Sequence, residues 1–191
     1  AEAGPATLAF GCHSILRAEA VNRKRGLRYT TEESVALQAK IEEHYGKIET
    51  VWHEIVSPDI HCDVFVVTPP DSGVVYLITG GMGACLMPIP DEKRAAGVPE
   101  RLELLIALPK NWPLKYAEQR KAQNYWPTQM LKDMARYPVD MNEFLAAGHT
   151  VQMPQPYAGT RFQCALFLPP VGKTPEALRF GEQCAQTIYA L

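Results

Sequence analysis

Apolar positions recur along this chain with two periods, and the switches between them mark out its elements. Thr30 and Glu33 have the spacing of a helix capping box. Leu37, Ile41, Tyr45 and Ile48 then fall on one helical face, and Gly46 supplies a stop. Four stretches rich in β-branched, aromatic and aliphatic residues follow, at 49–57, 61–68, 74–79 and 101–108, and read as strands. Pro69, Pro70, Asp71, Ser72 and Gly73 form a strong turn signal, so the second and third of these strands should pair as an antiparallel hairpin. In the fourth, Leu102, Leu104, Ile106 and Leu108 alternate onto one face. A polar loop or weak helix covers 114–123. Two further strands are expected at 149–153 and 161–168, and a closing helix at 175–191 with Leu178, Ala185 and Ile188 inward.

Residues 125–151, YWPTQMLKDMARYPVDMNEFLAAGHTV, carry the densest signals. Pro127 suits a first helical turn. Met130, Leu131, Met134 and Ala135 form a buried stripe. Pro138 predicts the end of that helix at Tyr137. A second short helix is expected over 142–147, stopped by Gly148, with His149 opening a strand. Strands cluster instead of alternating with helices. The expected class is therefore α+β, with a mostly antiparallel or mixed sheet flanked by helices. Residues 1–29 show no sustained pattern and read as an arm, leaving 30–191 as the domain.

Composition narrows the function. The chain has 191 residues, 47% of them hydrophobic and 21% charged, with a net charge of −2. That is one globular domain without the basic footprint of a nucleic-acid binder. The cluster Arg23, Lys24, Arg25 and Arg28 reads as a solvated linker. The five cysteines are odd in number and contain no CxxC pair, which argues against a disulfide framework or zinc ribbon and for a reducing, cytoplasmic compartment. Residues 8–16 are interrupted by Gly11 and His13 and lack a basic lead, so they do not read as a signal peptide. No run approaches the ~20 apolar residues of a membrane helix. The absence of an initiator methionine suggests a trimmed start.

The run TGGMGACLMP follows a strand but lacks the GK[ST] of a phosphate loop and is closed by Pro88 and Pro90, so no nucleotide or other cofactor is expected. His61 and Asp63 share one strand face, with Cys62 opposite. Joined by His53 or His149 they would make a small metal-binding or hydrolase-like site. The favoured reading is a satisfied polar pair on a half-buried strand. There is no G-x-S-x-G elbow, and Cys164 reads as a small core residue. No catalytic, cofactor or metal residue is assigned.

Five segments, GKIETVWHEIVSPDIHCDVFVV, YLITGGMG, RLELLIALPKNWPL, YWPTQMLKDMARYP and AAGHTV, resemble in order the Suppressor of fused domain family. A looser likeness continues through GKTPEAL. The resemblance implies an α+β domain like the N-terminal lobe of that family, non-enzymatic and protein-binding. Animal members clasp an extended peptide of a zinc-finger transcription factor, partly by strand addition, between two lobes. Only the first lobe is resembled here. Single-domain bacterial relatives imply an immunity protein that neutralises a polymorphic toxin. The partner would be another protein, a toxin or an extended peptide, and not nucleic acid or membrane. Tyr137 matches the tyrosine of the family's peptide-binding region. Arg136 and His149 flank it as candidate contacts, while Gly148 stands where an acidic residue is expected.

Overall fold

The computed structural model describes residues 27–57, 59–169 and 186–190. Helix α1 (Thr31–His44) begins at the capping box the sequence announces. The Thr30 hydroxyl accepts the Glu33 N–H, and the Glu33 carboxylate accepts the Thr30 N–H. Gly46, at φ +121°, turns the chain into β1 (Lys47–Trp52), where a Cβ would strike the Thr68 carbonyl. Strands β2 (Asp63–Thr68) and β3 (Val74–Gly80) form the expected antiparallel hairpin. A 3-10 turn (Met82–Ala84), the short α2 (Asp91–Ala95) and β4 (Arg101–Pro109) follow. Next come α3 (Tyr116–Gln119), the long α4 (Ala122–Met141), the strands β5 (Thr150–Gln152) and β6 (Cys164–Leu166), and β7 (Gln186–Ala190).

The main sheet has the order β1-β2-β3-β4-β7, antiparallel from β1 to β4, with β7 added parallel to β4. A separate antiparallel pair joins β5 to β6. The arrangement is α+β, as the strand clustering requires. Period-two alternation sends Val64, Val66, Leu77, Leu102, Leu104 and Ile106 to one face, where Met130, Leu131, Met134 and Ala135 of α4 cover them. Phe65, Val67, Ile78 and Leu105 point the other way, under Leu37, Ile41 and Tyr45 of α1. The sheet is thus sandwiched between two helices, and both faces exclude water.

Three expectations need correction. The 125–151 segment holds one helix, not two, because α4 runs through both Pro127 and Pro138. Proline removes one intrahelical hydrogen bond and costs about 3 kcal/mol in a helix interior. Here both rings are buried beside the apolar stripe, and that packing offsets the loss. The stop comes from Asn142 at φ +52°, whose N–H reaches the Pro138 carbonyl. Residues 142–147 are consequently loop and turn, although Gly148 keeps the left-handed conformation, at φ +85°. Of the expected closing helix at 175–191, the described part, Gln186–Ala190, is a strand paired along β4. Leu178 and Ala185 lie outside the described residues. Cys164 is exposed, not core. Among the described residues no helix is long and apolar enough to cross a membrane.

Candidate functional site

The loop between β1 and β2 is pinned to α4 by charge. Arg136 donates through Nη2 to both Glu54 oxygens, at 2.8 and 2.9 Å, and to the Ile60 carbonyl at 3.2 Å. Its Nε reaches Asp59 Oδ1 at 3.1 Å. Lys132, one turn earlier, lies 3.3 Å from Glu54 Oε1. The Glu54 side chain is only 8% exposed. Burial by itself would raise its carboxyl. The Cys62 backbone N–H and the charges of Arg136 and Lys132 outweigh that and hold it below the ordinary value.

Replacing Arg136 with alanine should therefore destabilise the chain by about 3 kcal/mol, because a nearly buried carboxylate keeps only one cation. Urea unfolding at pH 7 would measure it. The sign of the pH dependence follows from the depressed Glu54 value. Its contribution is present above the unfolded-state pKa and is lost as pH falls through the folded one. The wild-type advantage over Arg136→Ala should shrink at acid pH.

The same loop brings together a row of polar side chains. Asp63 accepts from the Glu54 N–H at 2.8 Å and lies 2.9 Å from His53 Nδ1 and 3.1 Å from His61 Nε2. The other His61 nitrogen, Nδ1, is 2.8 Å from Ser57 Oγ. His61 and Asp63 do share a face, with His53 beside them. His149 lies elsewhere, at the entry to β5, its ring tilted against Phe144 at 5.1 Å. The expected grouping of His61, Asp63 and His149 is not formed, because His61 and Asp63 lie where the β1–β2 loop enters β2 and His149 lies in the loop before β5. Among the described residues no group of three or more His, Cys, Asp or Glu side chains could hold a metal ion. Cys62 faces inward, and burial pushes its thiol far up, so it is no nucleophile.

At the same end of the sheet, where Gly80 pairs with Asp63, lies a residue the pattern concealed. Glu103 of β4 is fully buried. Its carboxylate accepts from Tyr29 Oη and Thr79 Oγ1, both at 2.6 Å, and from the N–H groups of Gly81 and Gly83, at 3.1 and 3.0 Å. Burial pushes this carboxyl up; the four donated hydrogen bonds oppose it without cancelling it. The glycine run that could be mistaken for a phosphate loop is thus an internal cradle, and the carboxyl it holds is the chain's own.

Tyr137 is half-buried on α4, packed against the main core. Arg136 is mostly buried in the ion network, with 17% of its side chain exposed. These two neighbours sit before the last turn of α4, whereas His149 sits across the following loop. Sequence reasoning missed Glu54, Ser57 and Glu103. Only Glu103 had a visible signal, a lone acid inside the apolar run LELLIAL.

The sheet covered by α4 on one face, the polar β1–β2 loop and the Ala-Arg-Tyr run near the end of α4 are the features to set against known proteins. No curated protein and no solved structure matches the chain. The family model described as Suppressor of fused protein matches residues 58–188, a span from the middle of the β1–β2 loop into β7 that includes all of α4. As that span exceeds half of the chain, this protein belongs to the Suppressor of fused family.

Proposed function

We propose that this chain is a non-enzymatic protein-binding module of the Suppressor of fused type, a bacterial, cytoplasmic immunity protein that neutralises a polymorphic toxin. The family match carries the reading. The fold supplies a means. β1 ends the sheet, and among the described residues no strand lies along its outer edge. Such an edge can accept an extended partner segment by strand addition. Tyr137 and His149 are the proposed side-chain contacts, with Arg136 holding the α4 surface in place through Glu54 and Asp59.

Co-expression with the product of the neighbouring gene tests the proposal. Protection from that product's toxicity and copurification of the two proteins are expected, with Tyr137→Ala weakening both. No complex and no protection would sink the immunity reading.

One observation favours a second reading, a hydrolase-like enzyme. Ser57, His61 and Asp63 form a hydrogen-bonded row with the order of nucleophile, base and orienting acid. Hydrolysis of p-nitrophenyl acetate that is lost in both Ser57→Ala and His61→Ala would support it. Activity unchanged in those variants would remove it.

A further inference from the structure

On the α4 side of the β1 edge, a cleft of about 400 Å³ opens between the end of β1, α3 and the N-terminal half of α4. Its apolar walls are Trp52, Tyr116 and Tyr125. Among the described residues its charged or chargeable groups are Arg120, Lys132 and His53, and no carboxylate lines it. Two of the three are already engaged, Lys132 with Glu54 and His53 with Asp63. Arg120 is exposed and has no carboxylate within ion-pair distance among the described residues. The polar lining residues Gln119 and Thr128 are hydrogen-bonded to each other, so they do not compete for it. Tyr116 is 83% exposed, an unusual position for a large aromatic ring.

Aromatic rings with an arginine that has no ion-pair partner and no acid beside it among the described residues are complementary to a group that is both apolar and anionic. Trp, Tyr and Arg are also the residue types that carry most interface energy. The cleft is continuous with the free edge of β1, because Trp52 is both the last residue of that strand and a wall of the cleft. Just beyond it, Ile55 and Val56 are 96% and 78% exposed. Edge and cleft thus meet at Trp52, with the apolar tip a few residues on in the chain.

We propose that this cleft docks an acidic segment of a partner protein, which inserts an aromatic side chain against Trp52 and Tyr125 and sets a neighbouring carboxylate on Arg120. The inference rests on the protein-binding reading above and adds a second contact region, built on the N-terminal half of α4, away from Tyr137 and His149. A partner strand lying along β1 would lead directly into it.

The test uses fluorescein-labelled peptides of alternating Glu and Phe, their counterparts with Lys for Glu, and fluorescence anisotropy with the full chain. The acidic peptide should bind, more weakly as salt rises, and the basic counterpart should not. Arg120→Glu should weaken binding at least tenfold and Tyr116→Ala several-fold. Both positions are exposed, so both variants should fold. Lys93→Glu, an exposed charge reversal on α2, should change nothing. Equal binding to wild type and Arg120→Glu, or no binding of the acidic peptide at all, would overturn the proposal. So would phenyl phosphate binding as tightly as the peptide with the same Arg120 dependence, which would make this a small-molecule site. A partner identified by co-expression that binds wild type and Arg120→Glu equally would remove the cleft and leave the protein-binding reading standing. If co-expression yields no partner, that reading fails while the peptide result still stands by itself.

Discussion

Replacing Glu103 with alanine should cost about 4 kcal/mol, a large share of the 5–15 kcal/mol that typically holds a domain together. The reason is the donors left behind. Tyr29 Oη, Thr79 Oγ1 and the N–H groups of Gly81 and Gly83 all converge on this one side chain. A buried donor without an acceptor costs roughly 1–3 kcal/mol. The two hydroxyls can rotate toward other partners, but the two backbone N–H groups cannot. Glu103→Gln keeps one acceptor oxygen and the shape, yet turns an amide donor toward other donors. It should cost about half as much.

Chemical unfolding of the two variants would measure the difference, and an alanine variant within 1 kcal/mol of wild type would show that the cradle is not stabilising. The pH dependence has the opposite sign to that of Glu54. Burial raises the Glu103 carboxyl above the ordinary value. Its contribution is full below the unfolded-state pKa and declines as pH rises through the folded one. In Glu103→Gln that decline should vanish, while the acid-side loss from Glu54 remains.

The second large effect is expected at Gly81. Its φ is +138°, and a Cβ there would lie 1.9 Å from the His61 carbonyl oxygen, a backbone atom that cannot swing aside. Gly81→Ala must shift the 3-10 turn or the start of β2, and either movement withdraws an N–H from Glu103. A loss of about 4 kcal/mol or failure to accumulate folded protein is expected. Gly97→Ala is the control. That residue also has a positive φ, +84°, but a Cβ would meet nothing within 4 Å. Only the left-handed backbone cost of about 1–2 kcal/mol should appear. Thermal unfolding of both variants separates steric collision from conformational cost. Equal losses at the two sites would mean that the contact with His61 is relieved cheaply.

Where a local signal was sufficient, the sequence was legible. The capping box of α1, the Pro-Pro-Asp-Ser-Gly turn of the β2–β3 hairpin and the alternation of β4 each depend on residues a few positions apart. The reading failed where a distant contact outweighed a local preference. Pro138 is a helix breaker by itself, but its burial in the fold carries α4 past it to Asn142. The last strand read as a helix because its neighbour, β4, is far away in sequence. In the candidate site, alternation placed His61 and Asp63 together. It gave no warning that Ser57 and Glu54 fold back onto them, or that Arg136, 82 residues from Glu54, is fastened there.

By itself, the sequence determined the α+β class, the hairpin, the buried stripe of α4 and the family, since these rest on periodicity, turn chemistry and ordered motifs within short windows. Tertiary structure alone decided the partners of the charges. It tied Arg136 to Glu54, gave Glu103 its four donors and left Arg120 without an acid among the described residues. Coulombic and hydrogen-bond energies depend on distance and burial in space, and a linear order of residues encodes neither until the apolar faces have packed.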